Sequence, residues 1–167
     1  MQIKWALIYL LLIPFVNWAF SWTPLVALPD GGSWSPFSIA VGLVLVFRDL
    51  AQREVGHWIF IPLFIGTGLS FIMAKPEIAT ASAVAFFVSE FIDWLIFTIT
   101  KKPLSKRILL STFAAIPVDS IIFLAGADMA IPGMFSWWTL ATMIASKLAG
   151  CYVVYRLVKH RERNDSR

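Results

Sequence analysis

The chain has 167 residues, 59% of them hydrophobic and 14% charged, with a mean hydropathy of +0.77 and a net charge of +4. Soluble domains are about 45–50% apolar and about 25% charged, so this composition excludes an ordinary soluble domain and requires a surface that faces lipid. The basic residues sit in short runs between apolar segments and at the C-terminus, a pattern of membrane topology and not of a basic face for nucleic acid.

A membrane-spanning helix needs about 20 mostly apolar residues, and six segments qualify. Helix 1 is predicted over 3–21, "IKWALIYLLLIPFVNWAFS". Lys4, the apolar run and "AFS" at 19–21 loosely resemble a signal peptide. The run is long, however, and Trp18, Phe20 and Trp22 crowd the cleavage site, so a retained span is expected. A loop, "SWTPLVALPDGGSWSP", leads to helix 2 over 36–53. Its end, "FRDLAQREVG", spaces Asp49 from Arg53 and Arg48 from Gln52 by four residues, which suits intrahelical pairs. Two roles are open to these four side chains: an anchor at the inner interface, or an inner gate or contact for a cytoplasmic partner.

Helix 3 is predicted over 57–74, followed by the turn "AKPE", and helix 4 over 78–99. At about 100° per residue, Ala81, Ser82, Ala85, Phe86, Ser89, Glu90 and Asp93 share one half of helix 4. Val84, Phe87, Val88, Phe91, Trp94 and Leu95 share the other. The first half is small and polar and packs inward; the second faces lipid. After "TKKPLSK", helix 5 spans 106–126 and aligns Ser111, Thr112, Ala115 and Asp119, with Pro117 freeing a backbone carbonyl nearby. After "GADMAIPG", helix 6 spans 134–158 with Thr139, Thr142, Met143, Ser146, Lys147 and Gly150 on one face. Residues 1–158 thus form one six-span domain, and 159–167 a charged, frayed cytoplasmic tail.

Orientation follows from Lys and Arg. With the N-terminus cytoplasmic, the inside carries Lys4, Arg48, Arg53, Lys101, Lys102, Lys106, Arg107, Arg156, Lys159, Arg161, Arg163 and Arg167. The outside carries Lys75, and Lys147 lies within helix 6. That asymmetry places both termini in the cytoplasm.

Ionisable residues inside a span cost about 2.5–3.5 kcal/mol each on insertion scales and mark functional sites by default. Here they are Asp49, Glu90, Asp93, Asp119 and Lys147, with Arg48 near the end of helix 2. Lys147 can neutralise Glu90 or Asp119 in a structural pair. Two or three acids against one deep base still leave a surplus carboxylate, which awaits a proton or a donor-rich ligand. A binding pocket is therefore expected around them.

Other chemistry lacks its residues. Cys151 is a lone cysteine in an apolar segment, and His57 and His160 are far apart, so neither a metal nor a cofactor is expected. Ser89, Glu90 and Asp93 have no neighbouring histidine base, and no P-loop is present, so the chain is not expected to be an enzyme.

Three blocks, "VGLVLVFRDLAQREVG" (41–56), "ASAVAFFVSEFIDWLIF" (81–97) and "PVDSIIF" (117–123), resemble the queuosine-precursor transporter family, also called the vitamin-uptake-transporter-like or VUT family. They occur in the family's order, and the Arg-Asp of helix 2 resembles its compact branch. The resemblance implies an all-α bundle of six transmembrane helices, similar to the substrate-binding subunits of energy-coupling-factor vitamin transporters. It also implies a small importer of 7-cyano-7-deazaguanine or 7-aminomethyl-7-deazaguanine in the inner (plasma) membrane; a transporter of another vitamin or small heterocycle is the alternative. A carboxylate can accept both hydrogen bonds from the guanine-like edge. Glu90 is the first choice for that role and Asp119 the second. Lys147 would orient an acid or donate to the substrate carbonyl, Asp93 would partner it, and Ser89 completes the polar set. Phe86, Phe123 and Trp137 are candidates to stack on the base. The working unit is the chain alone, a homo-oligomer, or an assembly with a separate energising ATPase. A proton-coupled carrier and a non-transport assembly protein are the rival classes.

Overall fold

A computed structural model describes residues 3–165. It contains six α-helices: α1 (Lys4–Trp22), α2 (Ser38–Val55), α3 (Phe60–Met73), α4 (Pro76–Ile99), α5 (Leu104–Ala130) and α6 (Trp137–Asp165). A 3-10 turn, Gly56–Ile59, joins α2 to α3. Five segments are long and apolar enough to cross a membrane, because Ser38–Met73 counts as one. By itself α3 has 14 residues, fewer than the ~20 that a full span requires.

The Ser38–Met73 segment nevertheless folds back on itself. Gly56 sits at φ 59°, a left-handed conformation that glycine adopts without a Cβ penalty. Beyond it the chain returns along α1. Glu54, at the end of α2, accepts the N–H groups of Trp5 and Ala6 at 2.7 and 3.3 Å, two of the donors that the first turn of a helix leaves unsatisfied. Past the end of α3, the Lys75 N–H donates to Ser21 Oγ near the end of α1 (3.3 Å).

Three apolar clusters hold the bundle. Tyr9, Ile13, Val16, Val44 and Leu63 join α1, α2 and α3. Ile78, Ala85, Phe123, Leu124 and Met143 join α4, α5 and α6. Leu45, Val46, Phe97, Ile116 and Cys151 close the α2, α4, α5 and α6 contact. The outside is greasy: Leu11, Ile72, Phe87, Phe91 and Phe113 are all exposed. On α4 the two predicted halves separate as expected. Ser82, Ala85, Phe86, Ser89, Glu90 and Asp93 are buried, whereas Val84, Phe87, Val88, Phe91 and Leu95 are exposed; Trp94, expected on the lipid side, is instead half-buried against the core, with its Nε1 donating to His57.

Helix ends differ from expectation where polar caps act. α5 continues to Ala130, and the Asp128 carboxylate accepts the N–H groups of Gly133 and Phe135 just beyond it. Ser136 caps α6 through the Thr139 N–H (3.0 Å). α6 also runs on to Asp165, through most of the stretch expected to fray. Arg156 over Tyr152 and Lys159 over Tyr155 support it one turn apart. Ser166 and Arg167 lie outside the described residues.

The first loop is not irregular throughout. β1 (Val26–Ala27) and β2 (Ser33–Trp34) form a short antiparallel ladder, with Val26 opposite Trp34. Asp30 ties this hairpin to α6, accepting from the N–H groups of Gly32 (3.0 Å) and Trp138 (3.3 Å). Burial pushes the Asp30 carboxyl up, but hydrogen bonds from Gly32, Ser136 and Trp138 outweigh it and hold the group below the usual carboxylate range. A lowered folded value means the tie is complete above about pH 4, the unfolded value, and is lost as pH falls through the folded one. Asp30→Ala is expected to speed amide exchange at Gly32 and Trp138 at neutral pH, and wild type to approach it in acid. Unchanged exchange in the variant would refute the tie.

Candidate functional site

Two buried polar layers lie inside the bundle. The first surrounds a cleft between α1, α2, α4, α5 and α6, lined by Asn17, Ser82, Phe86, Asp119, Phe123 and Lys147 among others. Lys147 Nζ donates to Asp119 Oδ2 (2.5 Å) and to Ser120 Oγ (3.0 Å). Ser89 Oγ donates to Asp119 Oδ1 (3.2 Å). On the opposite wall, Asn17 Nδ2 donates to Ser70 Oγ (2.9 Å), and Ser82 Oγ donates to Asn17 Oδ1 (2.7 Å). Phe20 meets Phe123 edge-on, with ring centroids 5.3 Å apart. The cleft is tight, with a cavity volume of about 20 Å³, room for little more than one water molecule. Entry of a planar heterocycle therefore requires its walls to part.

The second layer is centred on Arg48, which is fully buried. Its Nε donates to Glu90 Oε2 (2.5 Å), its Nη1 to Asp49 Oδ1 (3.0 Å) and Gln52 Oε1 (2.5 Å), and its Nη2 to the Glu90 carbonyl (3.1 Å). Asp93 Oδ2 lies 3.2 Å from Nη1. Ser111 Oγ donates to Asp49 Oδ2 (3.2 Å), and Gln52 Nε2 to Thr98 Oγ1 (3.1 Å).

The candidate residues divide between these layers. Asp119, Lys147 and Phe86 meet at the cleft, with Ser89 behind Asp119. Glu90 and Asp93 do not line it and turn to Arg48 instead. The expected Asp93–Lys147 partnership is thus replaced by Asp93–Arg48, because the α2 guanidinium reaches α4 inside the bundle. Arg48, Asp49 and Gln52 are buried, so a surface contact for a cytoplasmic partner does not suit them. The Arg48–Gln52 pair forms, whereas Asp49 turns to Arg48 and Ser111 and leaves Arg53 exposed. Trp137, 76% exposed, stands outside the cleft, while Phe123 lines it. Arg48 also corrects the charge count: among the described residues, four buried carboxylates face two buried cations.

Sequence reasoning passed over Asn17 and Tyr9. Asn17 is a lone amide in an apolar span, and that signal was visible. Its weight is clear only once Ser70 and Ser82 close around it.

A family model described as "Putative vitamin uptake transporter" matches residues 3–158. The chain belongs to the vitamin uptake transporter (VUT) family. No curated protein and no solved structure matches it. The VUT match covers all six helices up to the basic end of α6. It agrees with the apolar, multi-pass bundle and speaks against an enzyme. As a VUT member the chain is a membrane transporter of the vitamin-uptake type, acting on a small molecule in a lipid bilayer.

Proposed function

We propose that this transporter imports queuosine precursors, 7-cyano-7-deazaguanine or 7-aminomethyl-7-deazaguanine, across the inner membrane. The observation that carries the reading is the buried Asp119–Lys147 pair opening on a cleft flanked by Phe86 and Phe123. A deazaguanine offers an N–H and an exocyclic amine along one edge and a carbonyl beside them. Asp119 would accept from the edge and Lys147 would donate to the carbonyl. Phe86 and Phe123 would lie against the flat faces, and Asn17 and Ser82 supply further polar partners on the far wall. The lining favours Asp119 ahead of Glu90 for the pairing edge; Glu90, held by Arg48, would support it from behind.

In the same reading all six helices cross the bilayer, with the short α3 lengthened by the 3-10 turn before it. Both termini lie in the cytoplasm, consistent with the basic residues at Lys4, Lys101, Lys102 and the end of α6.

A feeding experiment tests this. The chain is expressed in bacteria that can neither make nor import 7-deazaguanines, 7-cyano-7-deazaguanine is supplied, and queuosine is assayed in tRNA. Wild type is expected to restore the modification. Asp119→Asn is expected to cut it by at least about tenfold, since a lost hydrogen bond to a charged group is worth about 1.5–3 kcal/mol. If Asp119→Asn and Glu90→Gln both leave uptake intact, the pocket assignment fails. Absence of restoration by folded wild-type protein would argue for another heterocycle.

A further inference from the structure

The Arg48 layer does not balance its charge. Asp49, Glu90 and Asp93 are each at most 1% exposed, and one guanidinium faces all three. Arginine stays charged in proteins. Three ionised carboxylates would therefore leave two uncompensated negative charges inside the bundle, a costly state that one bound proton halves. Polar atoms in the same layer also lack partners: Tyr9 Oη, Glu90 Oε1, Thr112 Oγ1 and both oxygens of Asp93 make no hydrogen bond. The Asp49 and Asp93 carboxyls converge on the same nitrogen, Arg48 Nη1, at 3.0 and 3.2 Å. Two carboxyl groups so placed hold a proton between them.

Among the described residues, no second buried cation faces this layer. α1 contributes Tyr9 and α2 contributes Arg48, Asp49 and Gln52; α4 contributes Glu90 and Asp93. α5 contributes Ser111 and Thr112, and α6 contributes Cys151. α3 carries no titratable side chain. His57, on the 3-10 turn, accepts instead from Trp94 Nε1 at the surface. Lys147 is engaged by Asp119. Among the described residues, the acids do not group as a metal site would.

We infer that the Arg48 layer is a proton-binding site, with one proton shared by Asp49 and Asp93, and that this proton moves inward with the substrate. The second half rests on the import reading above. The link is short. Ser89 and Glu90 are consecutive on α4, one bonded to Asp119 in the cleft and the other to Arg48. A ligand that draws Asp119 away from Ser89 acts on the same helical turn that positions Glu90.

Infrared spectroscopy of the protein in liposomes tests the site without any substrate. A protonated-carboxyl stretch is expected at neutral pH. It should shift when aspartate is labelled with carbon-13 at the side-chain carboxyl, a change that does not perturb folding. Asp93→Asn and Asp49→Asn should each remove it, and Asp119→Asn should leave it. No such band, or one indifferent to the aspartate label, overturns the proton site. The coupling is tested by uptake of labelled 7-cyano-7-deazaguanine into wild-type proteoliposomes. An inside-alkaline gradient of about one pH unit should drive about tenfold accumulation for one proton per substrate. Equal accumulation with and without the gradient overturns the coupling. A band with no uptake under either condition upholds the proton site and overturns the proposed substrate.

Discussion

Arg48→Met is expected to abolish stable folding. The guanidinium uses all three nitrogens to hold Asp49, Gln52, Glu90 and the Glu90 carbonyl, and Asp93 lies beside it. Removing one partner of a buried ion pair costs about 3–5 kcal/mol, and here three acids lose the same cation. That is comparable to the whole stability of a small domain, about 5–15 kcal/mol. Arg48→Lys should rescue little, because an ammonium is a point charge and cannot reproduce the fork. The check is the thermal midpoint of purified protein in detergent, with Arg53→Met as control. Arg53 is exposed, so its variant should melt like wild type. An Arg48→Met protein that also melted like wild type would show that the acids carry their protons without the cation.

Gly42→Leu should be nearly as severe, for a steric reason. α2 and α6 cross at Gly42, and a Cβ there would overlap the backbone carbonyl of Lys147. Backbone cannot swing aside as a side chain can, so the helices must separate. Overpacking costs about 1–3 kcal/mol in ordinary cores. The consequence here is also functional, since the residue pushed away is the one whose Nζ holds Asp119. Even Gly42→Ala is expected to lower uptake more than stability. Gly68→Ala is the counterpart: its Cβ would meet nothing within 4 Å, and alanine is the better helix former by about 1 kcal/mol. Uptake and melting measured on both variants decide the matter. Equal behaviour would mean that the α2–α6 crossing does not position Lys147.

The inward half of α4 could be read from the sequence because membrane helices sort side chains by a fixed angle. Ser89, Glu90 and Asp93 followed that angle into the bundle, and Phe87 and Phe91 followed it out. The partner of Glu90 could not be read this way. Topology rules treat an arginine near a basic segment as a headgroup anchor, and by that rule Arg48 belongs at the interface. Its burial depends on two acids of another helix, Glu90 and Asp93 of α4, arriving beside it, which is tertiary information. Trp137 failed as a cleft candidate for a local reason. α6 begins at that residue, so its ring sits at the rim. The length of α3 was hidden as well, because apolar composition does not reveal that four residues go into a 3-10 turn.

α1 lies between α2 and α3 and is fastened to them at both ends. Glu54 holds its first turn, and Ser21, near its last, receives the N–H of Lys75. Asn17, on the wall of the cleft, is bonded to Ser70 of α3 as well. α1 and α3 therefore form one unit, whereas α2 is also seated on α6, backbone against backbone at Gly42 and Gly150. Opening the cleft to either side of a bilayer means moving α1 and α3 against α4, α5 and α6, with Ser82–Asn17 among the bonds that cross the seam.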